Sequence, residues 1–388
     1  MPQIFEDTQT AFALKSDAEL ERAYFLFKLI GNQPLVKIGA AVTNFAIKSH
    51  LPVEGLIRAT VFDHFCAGIN EKDCMPTVDK LWVKGVSSVL DYSVEGKDTE
   101  DPLDNALAVT LNILDFAKEK EAMPFAVFKP TGYGRFILFE KKGAGKPFSA
   151  SEKSEWDRVV KRFEATCKKA HDLNVSLLID AEESWMQDAA DELVEEMMRK
   201  FNREKAVVFN TIQLYRWDRL EYLKKLQKKA AQEGFKIGIK AVRGAYLEKE
   251  NERAEEKGYR SPICSSKQET DENFNKTISY ILEHLDTISL FAGTHNEESS
   301  WLLMQLMEKH QINPNDSRIW FGQLLGMSDH ISFNLAAAGY NVAKYLPFGP
   351  VRDVMPYLIR RAEENTSVAG QTNRELELLK KERKRRKI

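Results

Sequence analysis

Val175-Ser-Leu-Leu-Ile-Asp180-Ala-Glu182-Glu183-Ser184 is a run, apolar but for Ser176, that ends on acids and passes into a helical pattern, Ser184–Phe201. The next apolar run begins at Ala206. A strand that is apolar at every position, rather than at every second one, is suited to burial on both faces. A helix between two such strands is the crossover that makes them parallel. The same unit recurs along the chain. Runs of this kind stand at Val86–Tyr92, Phe125–Lys129, Val175–Asp180, Ala206–Leu214, Lys236–Val242, Thr287–Thr294, Arg318–Leu325 and Asn341–Leu346, with helical patterns such as Ser154–Asp172 and Arg216–Glu233 between them. Eight such units predict an α/β fold, a closed TIM-type (β/α)8 barrel rather than an open doubly wound sheet. No Gly-x-Gly-x-x-Gly follows a strand, and Gly143-Ala-Gly-Lys146-Pro lacks the Walker spacing, which argues against a Rossmann site and a P-loop.

The flanks read differently. Residues 1–85 are expected to form an N-terminal helical arm: apolar residues of Ala23–Ile30 and Leu35–Ile47 recur at helical steps, Asp17 opens the first pattern, and Leu51-Pro-Val-Glu starts another helix. The barrel is assigned to 86–370. Residues 371–388 end in Lys-Glu-Arg-Lys-Arg-Arg-Lys-Ile and read as a charged basic tail, either disordered or drawn to anionic lipid. Four scattered cysteines, with no Cys-x-x-Cys, predict a reducing compartment and no structural zinc. Met1–Asp17 lacks a signal-peptide pattern, and no stretch of about 18 apolar residues could span a bilayer. A net charge of −2 gives no reason to expect nucleic acid.

In such a barrel the chemistry sits at the carboxyl ends of the strands. Those ends carry Asp91, Lys129, Asp180, Gln213, Arg243, Thr294 with His295, Gln323 and Tyr345. No Ser-His-Asp or Cys-His arrangement and no His-Glu-x-x-His appears, so no metal is expected. Lys129, beneath an apolar run, needs an anionic partner, either Asp180 or a ligand carboxylate. A rim of cations and amides without a nucleophile suits a cofactor enzyme. The last strand passes through a Pro/Gly-marked turn into a helix carrying Tyr357, Arg360, Arg361 and Glu364 at spacings of three, four and seven. Two adjacent guanidiniums there could hold a carboxylate or phosphate, or could form a solvated basic face.

This last segment resembles the C-terminal signature of the proline dehydrogenases, and the likeness continues upstream in the same order. Lys240-Ala-Val-Arg243-Gly244-Ala245-Tyr246 looks like the family's fifth-strand motif, and Asp180-Ala-Glu182-Glu183 its Asp-Ala-Glu-Glu strand end. Gly293-Thr294-His295-Asn296, Gln323-Leu-Leu325-Gly-Met and Asp91-Tyr-Ser-Val-Glu95-Gly are similar to three more of its motifs. The likeness spans about Val86 to Asn365. Lys240 stands where many bacterial members have arginine, Lys129-Pro-Thr131 is a looser match, and Leu247 replaces an aromatic.

The resemblance implies FAD on the carboxyl face of the barrel, with the last helix placed over that face. It also implies oxidation of L-proline to Δ1-pyrroline-5-carboxylate by hydride transfer and a quinone as electron acceptor. Arg360 and Arg361, with Lys129, would pair with the substrate carboxylate. Tyr246, Leu325, Tyr345 and Tyr357 would wall the ring. Gln213, Lys240, Arg243, Gly244, Thr294, His295, Asn296, Gln323, Arg361 and Glu364 would surround the flavin. Asp180 would orient Lys129 or bond the cofactor, and Glu95 with Arg360 would form a gate. A pyrroline-5-carboxylate dehydrogenase partner and a cytoplasmic site, peripheral on an inner membrane or mitochondrial in a eukaryote, fit the same picture. Rivals are a hydroxyproline dehydrogenase on the same scaffold, a folate-reducing flavin barrel, and a non-catalytic proline sensor at membranes.

Overall fold

Eight strands close into a barrel in chain order: β1 (Val86–Tyr92), β2 (Phe125–Phe128), β3 (Ser176–Ile179), β4 (Val208–Gln213), β5 (Ile237–Val242), β6 (Ile288–Gly293), β7 (Ile319–Leu324) and β8 (Val342–Phe348). The registered pairs are parallel, so the expected TIM-type barrel is the observed one. This computed structural model describes residues 3–31, 55, 58–93, 98–367 and 369–388, with backbone alone at 59, 60, 360–367 and 369–371. By contacts the chain divides into two units. The first is Met1–Glu95, His295–Glu298 and Gly322–Ile388; the second is Gly96–Thr294 and Ser299–Phe321.

In the second unit, strand alternation sets the barrel's inner face. Phe125 meets Phe209, Phe291 and Trp320 edge-on at 5.8, 5.2 and 5.2 Å. This aromatic layer fills the barrel with apolar area rather than leaving a pore. Gly238 lies opposite Phe209 in the register, and a Cβ there would fall 2.5 Å from the Phe209 ring. Glycine is what admits the phenyl group. The surrounding helices start and stop where their caps dictate. Ser149 and Glu152 form a capping box at the head of Ala150–Leu173, and left-handed Asn174 closes it. The helix expected from Arg216 begins at Arg219 instead, because Arg216 and Arg219 both clasp Asp218 in the preceding turn.

In the first unit, β8 continues past Pro347 to Phe348, two residues beyond the expected end. Proline lacks only the N–H. Its carbonyl still accepts from Ala67 N–H at 2.9 Å, and Phe348 pairs with Gly68, so the strand is held by its neighbours through the proline. The helix Asp17–Ile30 is capped by Ser16, which exchanges bonds with Glu19, rather than by Asp17. Helices also cover Glu71–Trp82 within the expected arm, while the patterns at 35–47 and 51–54 lie outside the described residues.

The expected basic tail is corrected. Ala369–Arg386 is a helix, whose Leu378 and Leu379 are buried with Phe12, Leu20 and Phe27. Its cations have partners inside this unit: Arg374 meets Glu6 and Glu297, Arg383 meets Glu21, and Arg386 meets Asp17 and the Phe12 and Lys15 carbonyls. A run of charges read as solvated was one face of an amphipathic helix whose apolar positions are few. Among the described residues no helix is long and apolar enough to cross a membrane.

Candidate active site

The strand registers bring Lys129, Asp180 and Lys240 together in the second unit. Val127 is opposite Leu178, Leu178 opposite Phe209 and Phe209 opposite Gly238. Two residues further along each of β2, β3 and β5, on the same face, stand Lys129, Asp180 and Lys240. Lys240 Nζ donates to Asp180 Oδ1 at 2.6 Å and Lys129 Nζ to Asp180 Oδ2 at 3.4 Å. Burial alone would raise the Asp180 carboxyl, but the ammonium groups of Lys240 and Lys129 hold it below its usual range. Asp180 is thus one anionic partner of Lys129, the first of the two expected for it.

Two residues after Lys129, Thr131 gives both its backbone N–H (3.0 Å) and its hydroxyl (2.8 Å) to Glu182 Oε1. This ties the turn after β2 to the end of β3. Burial pushes the Glu182 carboxyl up to about 7, against the Thr131 donors that pull it down.

The fifth-strand motif divides its duties. Arg243 donates from Nε to Asp271, from Nη1 to Thr294 Oγ1 and from Nη2 to Ser299, while its guanidinium lies 4.5 Å from the centre of the Phe274 ring. These contacts brace the end of β6 at Thr294. Gly244 has φ +126, and a Cβ would come within 2.5 Å of the Tyr215 ring, so no side chain fits there. Tyr246 precedes the helix Leu247–Lys257 and lies beneath Lys249, 5.5 Å from the ring centre.

On β4, Thr211 and Gln213 share the inner face with Lys240, to which Thr211 is paired. Both are buried, yet neither Thr211 Oγ1 nor Gln213 Oε1 has a hydrogen-bond partner among the described residues. Buried polar atoms without partners are costly, so a polar ligand supplying them fits this wall. A flavin, with its ring of donors and acceptors, is such a ligand.

In the first unit, His295 Nδ1 lies 2.9 Å from Ser328 Oγ, and Asn296 follows in the turn before the helix Glu297–Lys309. Leu325 N–H donates to the Tyr345 carbonyl at 2.8 Å, so two of the expected ring-wall residues are tied together. Tyr345 and Tyr357 are buried, Tyr357 in an apolar cluster with Met327, Val354 and Leu358. Gln323 accepts from Ser332 Oγ at 2.9 Å, which joins β7 to the helix Asp329–Ala337. Asp91 accepts from the Ser93 hydroxyl at 2.9 Å. The expected gate residue Glu95 and the side chains of Arg360, Arg361 and Glu364 lie outside the described residues.

Two groupings escaped the sequence reading. One is Thr211 beside Gln213, hidden because the strand's last polar residue alone was considered. The other is Lys15–Asp329–Lys344, with Asp329 3.0 Å from Lys15 and 2.8 Å from Lys344. Lys344 within an apolar strand posed the same problem as Lys129 and was the available signal.

The proline dehydrogenase family model matches residues 74–374. The carbapenem antibiotics biosynthesis protein CarD of Pectobacterium carotovorum subsp. carotovorum is 36% identical over 337 residues, covering 86% of this chain and 87% of CarD. Mitochondrial proline dehydrogenase 1 of Homo sapiens is 42% identical over 235 residues, 60% of this chain and 39% of the human protein. The mitochondrial proline dehydrogenase 1 of Arabidopsis thaliana is 30% identical over 433 residues, 100% of this chain and 85% of the plant protein. A crystal structure of proline utilization A from Bdellovibrio bacteriovorus has TM-score 0.70 at 20% identity, over 94% of this chain and 37% of that one, and shares the fold. The family is flavin-dependent, and it acts on proline. With 301 consecutive positions matched by the family model and the motif residues standing at the strand ends just described, the chain belongs to the proline dehydrogenase family.

Proposed function

We propose that this chain oxidises L-proline to Δ1-pyrroline-5-carboxylate with FAD as its flavin and a quinone as final acceptor, the opening step of proline catabolism. The observation that carries the reading is the Lys129–Asp180–Lys240 cluster beside the partnerless Thr211 and Gln213 oxygens. Bound flavin supplies the hydride acceptor. Gln213, Lys240, Gly244, Thr294 and His295 would hold it, with Asn296 and Glu364 at matching family positions.

Lys129, Arg360 and Arg361 bind the substrate carboxylate, which fixes the ring by orientation. Asp180 holds Lys129 and Lys240 apart from each other and in place. Tyr246, Leu325, Tyr345 and Tyr357 enclose the apolar ring. Loss of hydride from the ring carbon beside a neutral amine leaves a protonated imine, so no side chain has to act as a strong base. By the family resemblance, Glu95 and Arg360 would pair as a gate when substrate is absent. A hydroxyproline dehydrogenase is the rival on this scaffold, and the bulk of Tyr345 favours proline.

The purified chain should be yellow and should bleach on anaerobic titration with L-proline. Arg361→Met should lower kcat/KM for proline by about 100-fold or more, as loss of a charged orienting contact does. A colourless chain that takes up no added FAD, or an Arg361→Met variant of full efficiency, would overturn this reading.

A further inference from the structure

Behind His295 the first unit contains a buried polar chain that ends on the terminal helix, Ala369–Arg386. His295 Nδ1 lies 2.9 Å from Ser328 Oγ. Ser328 is fully buried, with a left-handed backbone of φ +50, and its N–H donates to Glu375 Oε1 at 2.5 Å. Glu375 is 3% exposed. A second connection from the same helix reaches the segment just after His295. Glu297, two residues after His295, accepts from Arg374 Nε at 2.7 Å and lies 3.0 Å from His330 Nε2. Adjacent residues of the terminal helix therefore hold the helix start just after His295, through Glu297, and the turn after β7 that carries Ser328.

A carboxylate is a poor choice for a position that only has to pack, because burying its charge is expensive. Leu378 and Leu379 already supply the helix with its apolar docking surface. Glu375 instead satisfies the one N–H of a residue whose strained backbone aims its hydroxyl at His295, a task no aliphatic side chain could perform.

We propose that Glu375 is a positioning residue for the flavin site, acting through Ser328 to fix the orientation and tautomer of His295. The inference rests on the placing of His295 at the flavin under the proposed function. The terminal helix is then part of the cofactor site's supporting structure, held by charge pairs on one side and by this polar chain on the other.

The test is FAD affinity, measured by flavin fluorescence on reconstituting the deflavinated full-length chain, together with the flavin absorbance spectrum of each reloaded variant. Glu375→Ala should weaken FAD binding about 5- to 20-fold and shift the flavin spectrum. Glu375→Gln, which keeps an oxygen for the Ser328 N–H, should recover most of the affinity. His295→Ala should lose a similar amount, and the double variant His295→Ala/Glu375→Ala should lose no more than the worse single one, because both act through one group. Ser328→Ala leaves the Glu375 bond in place and cuts the chain at the hydroxyl. It should reproduce the loss even if Glu375→Ala fails to fold. Affinity within twofold of the parent in Ser328→Ala, or in a folded Glu375→Ala, with His295→Ala weakened, would overturn the inference and leave the flavin assignment standing. Additive losses in the double variant would overturn it as well. A parent chain that binds no FAD would overturn both.

Discussion

Among the described residues stand two lysine–aspartate–lysine clusters, one in each unit, and they differ in what surrounds the ammonium groups. In the second unit, Lys129 and Lys240 converge on Asp180 at 3.4 and 2.6 Å, with Lys129 and Asp180 each 15% exposed. In the first, Lys15 and Lys344 converge on Asp329 at 3.0 and 2.8 Å. There Lys344 is 1% exposed and also donates to the Met327 carbonyl at 2.7 Å and the Leu324 carbonyl at 3.3 Å. With three acceptors around one ammonium, Lys344 is bound into the turn after β7. Burial drags it below the usual lysine range even beside Asp329, whereas Lys15 ends above that range because its burial is outweighed by Asp329 together with Glu19 and Glu375. Lys129 keeps a long contact at a partly exposed site. The same three residue types thus stand in two settings, and burial separates them: Lys344 is sealed from solvent, whereas Lys129 stays partly exposed, as its proposed contact with the substrate carboxylate requires.

The largest effect is expected where the first-unit cluster is broken. Asp329→Ala leaves the buried Lys344 and the partly buried Lys15 without their counter-charge and should cost about 3–5 kcal/mol of stability in urea unfolding. The proline kcat/KM of the folded fraction should move far less. Next, Asp180→Ala should lower kcat/KM about 100-fold by releasing Lys129 and Lys240, with a small change in unfolding midpoint. If the two variants exchange phenotypes, the comparison fails.

A third test uses pH. Glu182, beside the second-unit cluster, has its carboxyl lifted from 4.5 to about 7, burial being the main cause. Between those values the native state keeps a proton that the unfolded chain has lost, so stability falls as pH rises through this window. The slope is about 1.4 kcal/mol per pH unit at most, and Glu182→Gln should remove it in unfolding curves taken at pH 5, 6 and 7. Asp329 has the opposite sign: its carboxyl lies well below the ordinary 3.8 because Lys15 and Lys344 overcome its burial. Its contribution is present above pH 3.8 and is lost as pH falls below it.

The smallest effect is sought at adjacent residues of β8, which face opposite sides. Tyr345→Ser should raise relative kcat/KM for hydroxyproline against proline by about 10-fold, the usual worth of a steric contact. Lys344→Met should leave that ratio unchanged. An unaltered ratio in Tyr345→Ser would remove Tyr345 from the ring wall.

The barrel was legible because strand burial on two faces leaves a periodic trace. The runs from Val86 to Leu346 predicted all eight strands, with boundaries off by at most two residues. Lys129 and Asp180 were legible as strand-end charges and Lys240 through the family's fifth-strand motif, and the structure brings all three together around Asp180. Lys344 was passed over because a strand pattern does not reveal that its outward face meets Asp329. Ala369–Arg386 was misread because its cations far outnumber its apolar residues, although two leucines suffice when a partner surface waits for them.

The sequence alone determined the number and order of the strands, the helices between them and the chemical character of the barrel's rim, since these follow from local periodicity and strand ends. Only the tertiary structure decided which cation meets which acid: Asp180 with two lysines 51 and 60 positions away, Asp329 with Lys15 and Lys344, Glu375 with Ser328. Burial and charge pairing are long-range, and a one-dimensional pattern states the need for a partner without stating where in the chain that partner is.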